Sequence, residues 1–99
     1  MAIGEINARY PWNHESIVAH VPHASGVYAL FDSQKWIYVG EAADIQTELL
    51  RHLNGNNPAL ARNLLTGFQF EVVAAAQRVA RQDQLISALQ PACNHKSMT

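Results

Sequence analysis

Tyr28 and Tyr38 stand ten residues apart, one closing the tripeptide Gly26-Val27-Tyr28 and the other opening Tyr38-Val39-Gly40. Between them Asp32-Ser33-Gln34-Lys35 supplies turn chemistry, so 26–32 and 36–40 read as the arms of a β-hairpin. If Leu30 lies across from Trp36, period-two alternation puts both phenols on one face of the sheet. Tyrosine also suits strands for packing alone, so the pair reads equally as aromatic residues lying under a helix. Other chemically capable residues are scattered. His20 and His23 straddle Pro22 and suggest a metal, but no third ligand is visible. Arg62, Arg78 and Arg81 could form a basic edge for a nucleic-acid backbone, although isolated helix arginines are usually solvated. No Gly-rich phosphate loop, Ser-His-Asp pattern or heptad repeat is present.

The elements that must position the tyrosines follow from caps and periodicity. Asn13 can cap a short helix through Ile17 and Val18 that stops before Pro22. The two hairpin arms are almost continuously apolar, which implies a sheet covered on both faces. Asp44 caps a helix whose Ile45, Leu49, Leu50 and Leu53 form one stripe, with Asn54-Gly55 as a left-handed stop. Asn57-Pro58 opens a second helix through Leu60, Leu64 and Leu65 that ends at Gly67. Phe68, Phe70 and Val72 alternate with Gln69, Glu71 and Val73 as a third strand, and a last helix spans about 75–89, ahead of Pro91. The expected architecture is α+β, a small three-stranded antiparallel or mixed sheet flanked by helices.

Ninety-nine residues, 48% of them hydrophobic, suffice for one domain over 1–99, its core about 26–94. Seven Lys/Arg against eight Asp/Glu give a formal charge of -1, so no global field gathers polyanions and any nucleic-acid contact needs a local patch. Cys93 is the single cysteine, which excludes an internal disulfide and a CxxC site and fits a reducing compartment; it reads as a small packing residue. No run approaches the roughly 20 apolar residues of a membrane span, and no signal pattern opens the chain, so a cytoplasmic protein without a membrane partner is expected.

Together the two tripeptides resemble the signature of the GIY-YIG nuclease superfamily. A second motif, Gln82-Asp83-Gln84-Leu85-Ile86 followed by Pro91 and Asn94, looks like that family's C-terminal helix and proline-to-asparagine corner. The resemblance implies a GIY-YIG-like fold and an ancestral phosphodiester-cleaving chemistry. Such cleavage needs an activated nucleophile, positive charge facing the phosphate, and a proton or metal for the leaving oxygen. By the resemblance, Tyr28 and Tyr38 match the tyrosines that activate water and position the phosphate. His52 falls where the family has a histidine or tyrosine near the substrate and could shuttle a proton at neutral pH. Asn94 matches an asparagine that braces the site, and Gly26 and Gly40 are the motif glycines.

Three positions depart from the pattern. Ten residues beyond Tyr38, where the family aims an arginine at the scissile phosphate, this chain has Glu48. At ~4 Å and an effective dielectric near ~20, an attraction of ~4 kcal/mol would become a repulsion of similar size. Glu41 stands where relatives often carry lysine. The family's metal-binding glutamate falls on Gln82, in line with Val79, Ile86 and Leu89 on the inward stripe, and a neutral amide holds Mg²⁺ poorly. Arg51 is within reach to replace the missing arginine, or it is a solvated last-turn cation paired with Glu48. Asp83 points about 100° away from Gln82, toward the surface.

The leading expectation is therefore a GIY-YIG-like domain that is catalytically weakened or inactive and binds nucleic acid or protein, with no cofactor. One alternative is an active Mg²⁺- or Mn²⁺-dependent DNA endonuclease in which Arg51 and Asp83 take over the lost roles. Another is a protein-interaction or self-associating domain whose former groove, made acidic by Glu41 and Glu48, accepts a basic segment.

Overall fold

Two side-chain caps set the helices of one layer. In the computed structural model, which describes residues 8–55, 60 and 64–94, Asn13 Oδ1 accepts the Ser16 N–H at 2.7 Å and Asp44 Oδ1 accepts that of Thr47 at 3.0 Å. They open α1 (His14–His20) and α2 (Ile45–Leu53) as the sequence predicts. Helix α1 stops at Val21, ahead of Pro22, and α2 ends at Asn54 and the left-handed Gly55 (φ 83°).

The hairpin consists of β2 (Gly26–Phe31) and β3 (Trp36–Ala42), closed by Asp32, whose Oδ1 accepts the N–H groups of Gln34 and Lys35. Its register differs from the expected one by two residues, because Leu30 opposes Tyr38 and an irregularity follows before Phe31 opposes Trp36. Tyr28 opposes Gly40, and a slip of two leaves both tyrosines on one face, while the irregularity sends Trp36 to the other face, against Val27 and Ala29. On the other side of β2 runs β4 (Gly67–Val72), antiparallel, with Tyr28 opposite Phe70.

The sheet has four strands rather than three, in the order β1-β4-β2-β3, all antiparallel. The added β1 is Tyr10–Pro11, paired with Phe68 and Gly67 at the outer edge, where a residue without an N–H is tolerated. Two residues carry no period, so nothing in the sequence marks this strand.

Helices cover both faces, as the apolar hairpin requires. Ile17, Ile45 and Leu49 are fully buried against Tyr28, Leu30, Ile37 and Phe68. The opposite face, Val27, Ala29 and Val39, is covered by α3 (Arg78–Leu89) through Leu85, Ile86 and Leu89. The helix predicted over about 75–89 begins with a 3₁₀ segment, Ala75–Gln77, and α3 ends at Gln90 in a left-handed conformation before Pro91. The inward stripe of α3 is shifted from the predicted one: Val79 is 57% exposed and Arg78 is half-buried in its stead.

The helix expected from Asn57-Pro58 falls largely outside the described residues. Leu60 is helical and buried, but Leu64 and Leu65 lie beyond any helix, and Gly67 starts β4 instead of ending that helix. Trp12 lies edge-on to Phe68, with ring centroids 6.0 Å apart, and helps cover the sheet. Among the described residues no helix is long and apolar enough to cross a membrane.

Candidate active site

The tyrosine face is built on close approach. A Cβ at Gly40 would overlap the ring of Tyr28 and come within 3.0 Å of Tyr38, so only glycine lets the Tyr28 phenol cross onto the edge strand. At Gly26 a Cβ would strike the Glu71 carbonyl and, at 2.6 Å, Ile45, so this glycine lets β4 and α2 close on the hairpin.

Strand β3 is gripped from its outer side. Ala92 N–H donates to the Trp36 carbonyl at 3.0 Å and Cys93 N–H to that of Ile37 at 2.7 Å. The Asn94 side chain then continues the ladder: its Oδ1 accepts the Val39 N–H at 2.7 Å and its Nδ2 donates to the Val39 carbonyl at 2.9 Å. Asn94 thus fixes the peptide between Tyr38 and Gly40.

Helix α2 brings the remaining groups to the tyrosines. His52 Nε2 and Tyr28 Oη share a hydrogen bond of 2.7 Å, and the His52 ring lies 5.6 Å from that of Tyr38. The Tyr28 and Tyr38 centroids are 6.2 Å apart. Burial raises Tyr28 far above the ordinary phenol range, and the charges of Tyr38, Glu48 and Glu41 add to the rise while Arg51 opposes it. Tyr38 is raised by burial and by Glu48 and Glu41. His52, with its side chain 5% exposed, is lowered by burial, against the pull of Glu48. All three rings are neutral at pH 7, and His52 Nδ1 is buried with no hydrogen-bond partner among the described residues.

Glu48 occupies this cluster as the sequence count places it. Its Oε2 is 3.7 Å from His52 Nε2 and its Oε1 accepts from Arg51 at 3.1 Å. Arg51 is 59% exposed at its side chain and engages Glu48 from the solvent side. The relocated arginine that would rescue phosphate binding is therefore held on a carboxylate.

On the other face the charges are also paired. Arg78 Nε lies 2.8 Å from Glu41 Oε1, off the hydrogen-bonding direction, and Arg81 Nε donates to Glu71 Oε1 at 2.6 Å. Both arginines expected to meet a nucleic-acid backbone are thus engaged by sheet carboxylates, while Arg62 lies outside the described residues. Glu41 and Glu48, expected to make one groove acidic, each have an arginine, Arg78 and Arg51 respectively, so that surplus of negative charge is absent.

Gln82 is half-buried on the inward side of α3, and Asp83 is exposed. The donor set does not suit a divalent cation: the amide at 82 is neutral, and the carboxylates facing α3 from the sheet, Glu41 and Glu71, are bound to arginines. Among the described residues no three His, Cys, Asp or Glu side chains converge to hold a metal. His20 stacks on Tyr10 at 4.5 Å and His23 Nδ1 bonds Asp44 at 2.8 Å, so the two histidines around Pro22 serve separate structural contacts.

Glu71 and Arg9 carry no motif and went unmarked in the sequence. Strand alternation could have flagged Glu71, which lies on the same face as the half-buried arginines. Arg9 sits 5.1 Å from the Phe31 ring and 5.5 Å from that of Trp36.

Comparison with solved structures identifies the architecture. The chain matches the GIY-YIG N-terminal endonuclease domain of UvrC from Thermotoga maritima bound to its catalytic divalent cation, magnesium, with TM-score 0.68 and 20% sequence identity, over 83% of this chain and 96% of that chain. A point mutant of the same domain bound to its catalytic divalent cation matches with TM-score 0.65 and 20% identity, over 80% and 91% of the respective chains. No family model and no curated protein matches the sequence. The chain has the GIY-YIG fold; at 20% identity the likeness carries the fold, and the chemistry must be argued from the residues.

Proposed function

We propose that this protein is a GIY-YIG-fold domain whose hydrolytic chemistry is disabled and which acts as a nucleic-acid-binding module. The observation that carries the reading is Glu48, a carboxylate 3.7 Å from His52 and tied to Arg51, where the scissile phosphate would need a cation. A phosphate brought there meets repulsion instead of neutralisation, and each ~1.4 kcal/mol lost from the transition state is tenfold in rate. The neutral amide of Gln82 supports the same conclusion, since no carboxylate on α3 is placed to hold the Mg²⁺ or Mn²⁺ of an active enzyme. The pairing of Glu41 with Arg78 and of Glu48 with Arg51 favours a nucleic-acid partner over a basic protein segment, because neither acid is left unmatched.

A second reading, an active metal-dependent endonuclease, is favoured by one observation, the 2.7 Å contact between Tyr28 Oη and His52 Nε2. A neutral imidazole there can draw the phenol proton as the phenol takes one from an attacking water.

Plasmid nicking with Mg²⁺ or Mn²⁺ separates the two. The unmodified protein should leave supercoiled DNA intact. The double reversion Glu48→Arg with Gln82→Glu should raise cutting at least ~100-fold above background, and adding Tyr28→Phe should abolish it. Cutting by the unmodified chain that Tyr28→Phe removes would establish the second reading instead.

A further inference from the structure

We infer that the cleft between Arg9 and the 32–35 turn, at the tip of the hairpin and apart from the tyrosine cluster, is the subsite that takes the phosphodiester backbone of a nucleic acid. This rests on the nucleic-acid-binding reading above and names the surface that carries it.

Most of the described cations are already engaged. Five of the seven Lys and Arg lie among the described residues: Arg9, Lys35, Arg51, Arg78 and Arg81. Three of them are held by carboxylates of other elements or of their own helix: Arg51 by Glu48, Arg78 by Glu41 and Arg81 by Glu71. Among the described residues Arg9 forms no ion pair; its guanidinium lies over Phe31 at 5.1 Å and Trp36 at 5.5 Å. A guanidinium held against aromatic rings by cation–π attraction keeps N–H donors that can bond phosphate oxygens.

The cleft also supplies the rest of a phosphate cradle. Arg9, Phe31, Asp32, Ser33, Lys35 and Trp36 line it. Asp32 is turned to internal use, its Oδ1 accepting the Gln34 and Lys35 N–H groups and its Oδ2 standing 3.5 Å from Lys35 Nζ. Arg9 and Lys35 against Asp32 leave one net positive charge at the cleft, whereas Arg51, Arg78 and Arg81 are each matched by a glutamate. The exposed Ser33 hydroxyl and the Lys35 ammonium, 56% exposed, complete a donor set that suits a backbone phosphate and reads no base sequence.

Fluorescence anisotropy with labelled 20-mer oligonucleotides, single-stranded and duplex, tests this over a range of salt concentrations. Arg9→Gln and Lys35→Gln should each weaken binding about tenfold and lower the slope of log K against log salt by about one. Arg78→Gln and Arg81→Gln should change it by less than about threefold. Ser33→Asp, on the exposed turn, places a repelling charge in the cleft without touching the core, and it should weaken binding even if the Arg9 variant is poorly folded. Inorganic phosphate at millimolar concentration should compete weakly, and complete competition would assign the cleft to a free anion and overturn the inference. Binding that survives Arg9→Gln, Lys35→Gln and Ser33→Asp unchanged would overturn the inference alone, while absence of binding by the unmodified protein at low salt would overturn it together with the reading it rests on.

Discussion

The two faces of the sheet are built differently. On the face under α1 and α2, Tyr28, Tyr38 and His52 form a closed cluster with a 2.7 Å hydrogen bond at its centre. On the face under α3, the corresponding positions hold ion pairs, Glu41 with Arg78 and Glu71 with Arg81, around a neutral Gln82. The difference follows from what each face does for folding. Tyr28 and the His52 side chain are buried and Tyr38 is half-buried, with Gly40 making room for the Tyr28 phenol, so changing them would disturb the core. The charged positions are partly solvated, and a reversal of sign there costs little once a partner of opposite sign is in reach.

That contrast can be broken at several points. Gly40→Ala should cost the most, about 3 kcal/mol of unfolding free energy, because the new methyl overlaps the Tyr28 ring; a urea midpoint close to that of the parent would show that the phenol is free to move. Tyr28→Phe should come next, at about 1–2 kcal/mol, since it strands the buried His52 Nε2 beside an already unpartnered Nδ1. Tyr38→Phe, at a half-buried phenol, should cost less, and equal losses would contradict the asymmetry drawn between the two rings.

Double-mutant cycles on Glu41 with Arg78 and on Glu71 with Arg81 should return couplings of no more than about 1 kcal/mol each, screened by salt. Larger couplings would mean that the α3 face is held as tightly as the aromatic one. The smallest effect is one of pH. Burial holds His52 below its ordinary value of 6.5, so below that pH the unfolded chain takes up a proton that the folded one declines. Stability should be level above the unfolded value and decline as pH falls beneath it, and His52→Gln should flatten the decline. A denaturation midpoint that rises on acidification would contradict the burial of this ring.

What the sequence disclosed was whatever is local. Asn13 and Asp44 announce their helices because a cap acts three residues away, and the hairpin is visible because Asp32 closes its turn with its own neighbours. Parity protected the prediction that both tyrosines share a face even though the register moved by two. The GIY-YIG fold could be anticipated from two motifs, yet β1 could not, since a two-residue strand exists only because Phe68 and Gly67 are there to receive it. Leu64 and Leu65 look like a continuing helical stripe and are not, for the chain must straighten to enter β4 at Gly67. The pairing of Arg78 with Glu41, thirty-seven positions apart in the chain (78 less 41), is set by how α3 settles on the sheet. No periodicity reports that docking, which is why these arginines read as free cations in the sequence and as structural ones in the fold.

The amide of Asn94 holds Val39 by both its N–H and its carbonyl, like a two-pronged clasp on the strand that bears Tyr38. Tension applied to the polypeptide downstream of residue 94 would therefore be delivered straight to the phenol pair. Whatever is tethered there, by nature or by an experimenter with an optical trap, has a mechanical lever on the aromatic cluster.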